Sequence, residues 1–139
     1  MAPPVEWLKL ARLLEKNIDG YNRRAEEWLA VHFREAHAVA SVVAACGIPE
    51  RSLKRRFKAA TGATLIEHVQ NLRIEEAKRL LENESTGADE IAALVGYDNP
   101  AFFRRLFKRT TGLTTTQYRR MFRPIAHAGA EPAGGAEAA

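Results

Sequence analysis

The chain states one pattern twice. Val42-Val43-Ala44-Ala45-Cys46-Gly47, then Leu53, Arg55-Arg56-Phe57-Lys58 and Thr61-Gly62, recurs as Ile91-Ala92-Ala93-Leu94-Val95-Gly96, Phe103, Arg105-Leu106-Phe107-Lys108 and Thr111-Gly112. Gly47 and Gly96 are 49 positions apart, whereas Phe57 and Phe107, like Gly62 and Gly112, are 50 apart. The one-residue slip falls at Ile48-Pro49 against Tyr97-Asp98-Asn99-Pro100, and an insertion costs least in a turn. Each copy reads as a short apolar helix, a glycine turn and a second helix with a cationic stripe, the pattern of a helix-turn-helix.

Size and composition narrow the class. A chain of 139 residues makes one domain, or one domain with appendages. Its 46% hydrophobic and 27% charged residues, with little strand-like alternation, predict an all-α protein. The formal charge of +4 is unevenly spread: residues 51–123 hold fifteen Lys/Arg against eight Asp/Glu, and the remainder six against nine. That puts the positive field on the repeated unit, as a polyanion partner requires. One cysteine, Cys46, excludes an internal disulfide and fits a reducing cytoplasm; its place on an apolar face makes it a core residue. No signal peptide or membrane-length apolar run is visible, so no membrane partner is expected.

Apolar periodicity predicts the elements. Residues 5–18 read as an amphipathic helix with Trp7, Leu10, Ala11, Leu14 and Ile18 on one face, ended by Gly20. A second helix from about Asn22 turns Ala25, Trp28, Leu29, His32 and Phe33 inward. The first motif occupies 39–62, with helices over 39–46 and 50–60. A central helix over 64–84, capped by Thr64, buries Ile66, Val69, Leu72, Ile74, Ala77, Leu80 and Leu81. Gly87 breaks the chain; the second motif occupies 88–112, with helices over 89–95 and 100–110, and a last helix spans 115–122. The expected fold is two helix-turn-helix subdomains joined by a long central helix, about seven helices plus an extra N-terminal one. Residues 1–21 form the appendage, 22–123 the domain, and 124–139, rich in Ala, Gly, Pro and Glu from Ala126 onward, a disordered tail.

The second helix of each motif divides cleanly. Arg51, Lys54, Arg55 and Lys58 share one face of the first, with Leu53, Phe57 and Ala60 on another. Ala101, Arg104, Arg105 and Lys108 share one face of the second, with Phe103, Leu106, Phe107 and Thr110 on the other. A cationic stripe on one helix is most often a solvated face; two at matching phase, each after its own glycine turn, point to duplex DNA. Arginine donates twice to guanine O6 and N7, so Arg55 and Arg105, equivalent by the repeat, rank first as base contacts. Arg51, Lys54, Ala101 and Phe102 follow, the last two offering apolar surface to thymine methyls. Arg56, Lys58, Arg104, Lys108, Arg109 and Arg119 are the expected phosphate contacts. A central helix of about 20 residues is about 30 Å long, close to the roughly 34 Å turn of B-DNA. This predicts two reading helices in successive major grooves and a directional site.

These residues resemble the DNA-binding domain of the AraC/XylS family of bacterial transcription regulators over about 22–122. The resemblance rests on Gly96-Tyr97, Phe102-Phe103-Arg104-Arg105-Leu106-Phe107-Lys108-Arg109, Gly112, Tyr118 and Arg119, and on Leu72-Arg73-Ile74-Glu75-Glu76-Ala77-Lys78-Arg79-Leu80-Leu81. It implies seven helices in two helix-turn-helix subdomains and places the residues chosen by phase at the family's reading positions. Thr115 stands where the family commonly opens the final helix with proline, which predicts a looser terminus. Arg104 stands where many members carry a small hydroxyl residue. With Glu50-Arg51-Ser52-Leu53-Lys54-Arg55-Arg56-Phe57, it makes the chain similar to members with an amidotransferase-like sensory domain upstream.

About 21 residues precede the domain, too few for a sensor core. The expectation is a stand-alone regulator, or the output fragment of a longer one whose sensory domain is missing. Enzyme chemistry has no support: His32, His37, His68 and His127 form no HExxH, and zinc-spaced cysteines and phosphate loops are absent. No cofactor or metal is expected. His32 reads as a packing residue, and Glu75 and Glu76 as surface partners of Lys78 and Arg79. The rival function is a helical interaction module docking on RNA polymerase or another regulator. A bacterial regulator of this kind belongs in the cytoplasm, on the nucleoid.

Overall fold

The computed structural model describes residues 5–123, with side chains from Gly20 onward and at Lys9. The described residues are all-helical: α1 (Val5–His32), α2 (Ala38–Cys46), α3 (Glu50–Thr61), α4 (Leu65–Asn83), α5 (Ala88–Val95), α6 (Pro100–Thr111) and α7 (Thr115–Phe122). The chain divides into two compact units, with the division between Gln70 and Asn71 inside α4. The expected face of Trp7, Leu10, Ala11, Leu14 and Ile18, and the expected tail, lie outside the described side chains and residues.

The first correction is in α1. Gly20 does not end a helix; one helix of 28 residues runs through it. Glycine inside a helix costs only about 1 kcal/mol relative to alanine, and no proline follows to forbid continuation. The total is therefore seven helices among the described residues, with the two expected N-terminal helices fused.

In the first unit, Ala25, Leu29 and Phe33 of α1, Ala38, Val42 and Cys46 of α2, Leu53 and Phe57 of α3, and Leu65 and Val69 of α4 form the buried set. Trp28 and His32 are half-buried, their rings stacked at 3.9 Å. Burial pushes the Cys46 thiol above its ordinary value, as a core position requires. In the second unit Ile74, Ala77, Leu80, Leu81, Ile91, Ala92, Val95, Phe103, Leu106, Phe107 and Tyr118 make one apolar cluster. Three expected core positions are exposed. Ile66 is 54% exposed and Leu65 is buried in its place; Ala60 and Thr110 also face solvent. All three lie within two residues of a helix end, where the buried stripe runs out.

The duplication extends to the joints. Gly47 and Gly96 close α2 and α5 at φ 70° and 112°, and Gly62 and Gly112 close α3 and α6, both at 82°. These are left-handed conformations that glycine adopts without a Cβ penalty. Thr61 and Thr111 each donate back to the carbonyl four residues earlier, Phe57 and Phe107, at 2.8 Å. Thr64 and Glu67 form a reciprocal capping box at the start of α4 (2.9 and 3.0 Å); Thr114 and Gln117 repeat it at the start of α7 (2.9 and 3.1 Å). The expected loosening at Thr115 is thus corrected. A capping box holds that terminus without proline, and Thr115 itself is buried. The hydrogen bond from the Thr64 backbone, and then the Lys58 charge, hold Glu67 below the usual carboxylate range.

Two residues secure α7 within the second unit. Tyr118 donates its phenol to Glu82 at 2.5 Å, and Arg119 donates Nε to the Leu81 carbonyl at 3.1 Å and Nη2 to that of Glu84 at 3.0 Å. Burial, and then the bond to Glu82 and its charge, raise the Tyr118 phenol well above its ordinary range. A folded-state value raised above the unfolded one gives stability that is complete below about pH 10 and declines as pH rises beyond it. Tyr118→Phe is therefore expected to cost about 1.5–3 kcal/mol near neutrality, the range for a hydrogen bond to a charged group. It is also expected to flatten the alkaline decline. Urea unfolding at pH 7 and above pH 10 measures both.

Candidate nucleic-acid interface

The two reading helices are built alike but start differently. The α3 helix opens at Pro49 without a side-chain cap. The α6 helix has Pro100 in its first turn and Asn99 as cap, whose Oδ1 accepts from the backbone N–H of Ala101 at 2.9 Å and of Phe102 at 3.1 Å. Asn99-Pro100 was readable as a cap followed by a first-turn proline.

Opposite the wholly buried Leu53 and Phe57, α3 exposes Arg51, Lys54, Arg55 and Lys58. Lys54 pairs with Glu50 at 2.6 Å, one turn earlier. Arg56 is half-buried, its guanidinium carbon 5.9 Å from the centre of the Tyr21 ring. It fills the place that buried Leu106 takes in the second copy.

Opposite the buried Phe103, Leu106 and Phe107, α6 exposes Phe102, Arg104, Arg105, Lys108 and Arg109, with Ala101 half-buried. Arg104, Arg105, Lys108 and Arg109 line a groove together with Thr114 and Thr115 of the α6–α7 corner. Arg104 is ion-paired to Asp89 of α5. Among the described residues, neither Arg55 nor Arg105 joins an ion pair, so both forks are available to a ligand.

Arg119, expected among the phosphate contacts, is half-buried and turns its guanidinium onto main-chain carbonyls at the C-terminal end of α4. The Leu81 carbonyl, in the last turn of α4, has no N–H donor left to it within the helix, and the arginine supplies its partner. Sequence reasoning also missed Tyr97, whose ring lies 5.6 Å from that of Phe102 and 6.0 Å from that of Phe103. The surface pairs were read correctly: Lys78 meets Glu75 at 2.8 Å and Arg79 meets Glu76 at 2.7 Å. Among the described residues, no group of three or more His, Cys, Asp or Glu side chains could hold a metal, and no helix is long and apolar enough to cross a membrane.

Fold and surface together define a double helix-turn-helix domain with a cationic face on each second helix. Residues 42–121 match the helix-turn-helix domain family, and the chain belongs to this AraC-type family. Among its relatives is the MmsAB operon regulatory protein of Pseudomonas aeruginosa, 31% identical over 107 residues, which are 77% of this chain and 34% of that protein. The C-terminal domain of AraT, a response regulator from Geobacillus stearothermophilus, superposes with a TM-score of 0.74 at 28% identity, covering 81% of this chain and 93% of that one. The DNA-binding domain of the global transcriptional factor AdpA, solved with a target DNA, has a TM-score of 0.70 at 27% identity, covering 79% and 97%. The chain spans 34–45% of the length of the curated relatives it matches first.

Proposed function

We propose that this chain binds a specific duplex DNA sequence as the DNA-binding domain of a bacterial transcription regulator, with α3 and α6 as its reading helices. The observation that carries the reading is the duplicated exposure: each second helix buries one face in its own unit and offers an arginine outside any described ion pair on the other. The AdpA domain, solved with its target DNA, supports it by likeness.

In this reading Arg55 and Arg105 contact bases, joined by Arg51, Lys54, Ala101 and Phe102. Arg56, Lys58, Arg104, Lys108 and Arg109 hold phosphates. One reading helix in each of two successive major grooves is the docking that goes with this reading. A sensory domain and RNA polymerase are the further partners that go with such a regulator, and the bacterial nucleoid is its place of action.

The test is selection from a random duplex library of about 25 base pairs, with retained species titrated against salt. A directional consensus of two clusters about ten base pairs apart supports the reading. Retention without a consensus overturns sequence specificity, and no retention at low salt hands the fold to the protein-docking alternative. Lys108→Ala is expected to weaken preferred and scrambled duplexes alike and to lower the salt slope by about one.

A further inference from the structure

We infer that the entry face of α6 reads the 5-methyl group of a pyrimidine in the major groove, with Phe102 as the contacting surface and Tyr97 as the residue that positions it. The inference rests on the DNA reading proposed above; to the apolar contact expected of Phe102 it adds the residue that positions the ring. Phe102 is 37% exposed and lies near the N-terminus of a reading helix, the part of such helices that reaches base edges. Its backbone N–H is fixed by the Asn99 cap, so the start of the helix is held as well as the ring.

Behind Phe102 stands a stack that leads into the core. The Tyr97 ring backs Phe102 and also meets the wholly buried Phe103. The guanidinium carbon of Arg73, a residue only 8% exposed, lies 4.8 Å from the centre of the Tyr97 ring. A cation over an aromatic face is attracted to it, more strongly when desolvated, and this anchors the ring that Phe102 leans on.

The first copy shows that the fold does not need this stack. There Gly47 is followed by Ile48, Ser52 occupies the position of Phe102, and the turn is one residue shorter, yet α2 and α3 form the same motif. An aromatic ring held rigid at the surface, where the sister unit manages with serine, is a contact surface. Among base edges in the major groove, the C5-methyl of thymine is the apolar group, and phenylalanine and alanine are side chains that meet it. Half-buried Ala101 extends the patch, and Arg105 follows one turn on to take a neighbouring guanine.

The test uses the whole chain and its selected duplex. Each thymine of the half-site relaxed by Arg105→Ala is replaced singly by deoxyuridine, which removes one methyl group and leaves the hydrogen-bonding edge unchanged. Wild type is expected to lose about fourfold in affinity at one such position, the worth of one buried methyl. Phe102→Ala is expected to bind the thymine and uracil duplexes equally. Tyr97→Phe is expected to keep the methyl preference and Tyr97→Leu to lose most of it.

Wild-type indifference to every uracil, a half-site without thymine, or a full methyl preference in Phe102→Ala would overturn the inference while leaving DNA binding intact. A full preference in Tyr97→Leu would remove the positioning role. Failure of wild type to select any duplex would bring down the DNA reading itself. Phe102 lies at the surface, so its alanine variant decides the matter even where Tyr97→Leu fails to fold.

Discussion

Arg55→Ala and Arg105→Ala are each expected to weaken the preferred duplex by about 1–3 kcal/mol while leaving scrambled duplex nearly unaffected, because a bidentate arginine–guanine pair discriminates by that amount. The planar fork makes two aligned donations that a lysine in the same place would not reproduce. Lys54 and Arg104 lie on the same faces, but each is shared with an acid, Glu50 and Asp89. Such exposed pairs are worth about 0–1 kcal/mol, so either cation gives up little on leaving its acid for DNA, whereas Arg55 and Arg105 have no described pair to break. Arg55 and Arg105 sit in different units and share no partner among the described residues, so the double variant is expected to lose the sum of the single losses. Titrations on preferred and scrambled duplexes, with helicity followed by circular dichroism, read the outcome. Full specificity in both single variants would mean that other side chains read the bases.

The chain made its repeated helices legible because two independent signals agreed there. Apolar phase set the buried face of each, and a left-handed glycine ended α2, α3, α5 and α6; the expected bounds of these elements and of α7 fall within one residue of the observed ones. Where only one signal was present, the reading slipped. Gly20 is a glycine without a following proline, and local propensity alone does not stop a helix. At Ile66, two apolar neighbours competed for one inward position and Leu65 took it. The capping boxes at Thr64 and Thr114 were written in the sequence as matching Thr-x-x-Glu and Thr-x-x-Gln, a signature available without coordinates.

The interface divides along the same line. Exposure of Arg55, Arg105 and Lys108 follows from helix phase, since the opposite face is apolar. Whether a cation is already occupied depends on a neighbour that the chain brings in from elsewhere: Asp89 is fifteen residues from Arg104, and Leu81 is 38 from Arg119. No periodicity within α6 or α7 carries that information. The backing of Phe102 by Tyr97 and Arg73 is hidden for the same reason, because three elements contribute one residue each.

Phe57→Ala and Phe107→Ala test the duplication at its core and are expected to cost about 3–5 kcal/mol each, the range for truncating a buried phenylalanine. Both rings are wholly buried. Phe57 meets the His68 ring edge-on at 5.2 Å; Phe107 meets Tyr118 edge-on at 5.5 Å and Phe103 at 5.9 Å. The loss has two parts, the transfer energy of the ring and the cavity left where neighbours relax only partly. Since whole domains are stable by about 5–15 kcal/mol, either variant forfeits a large fraction of the total. Thr110→Ala, at an exposed position three residues beyond Phe107, is the control and is expected to stay within about 0.5 kcal/mol. Urea unfolding gives the totals, and amide hydrogen exchange locates them. Phe57→Ala should lose protection first in α2 and α3, and Phe107→Ala in α5 and α6. A cost under 1 kcal/mol at either ring would mean that the unit around it closes over the gap, and that the repeated phenylalanines are not the residues on which its packing depends.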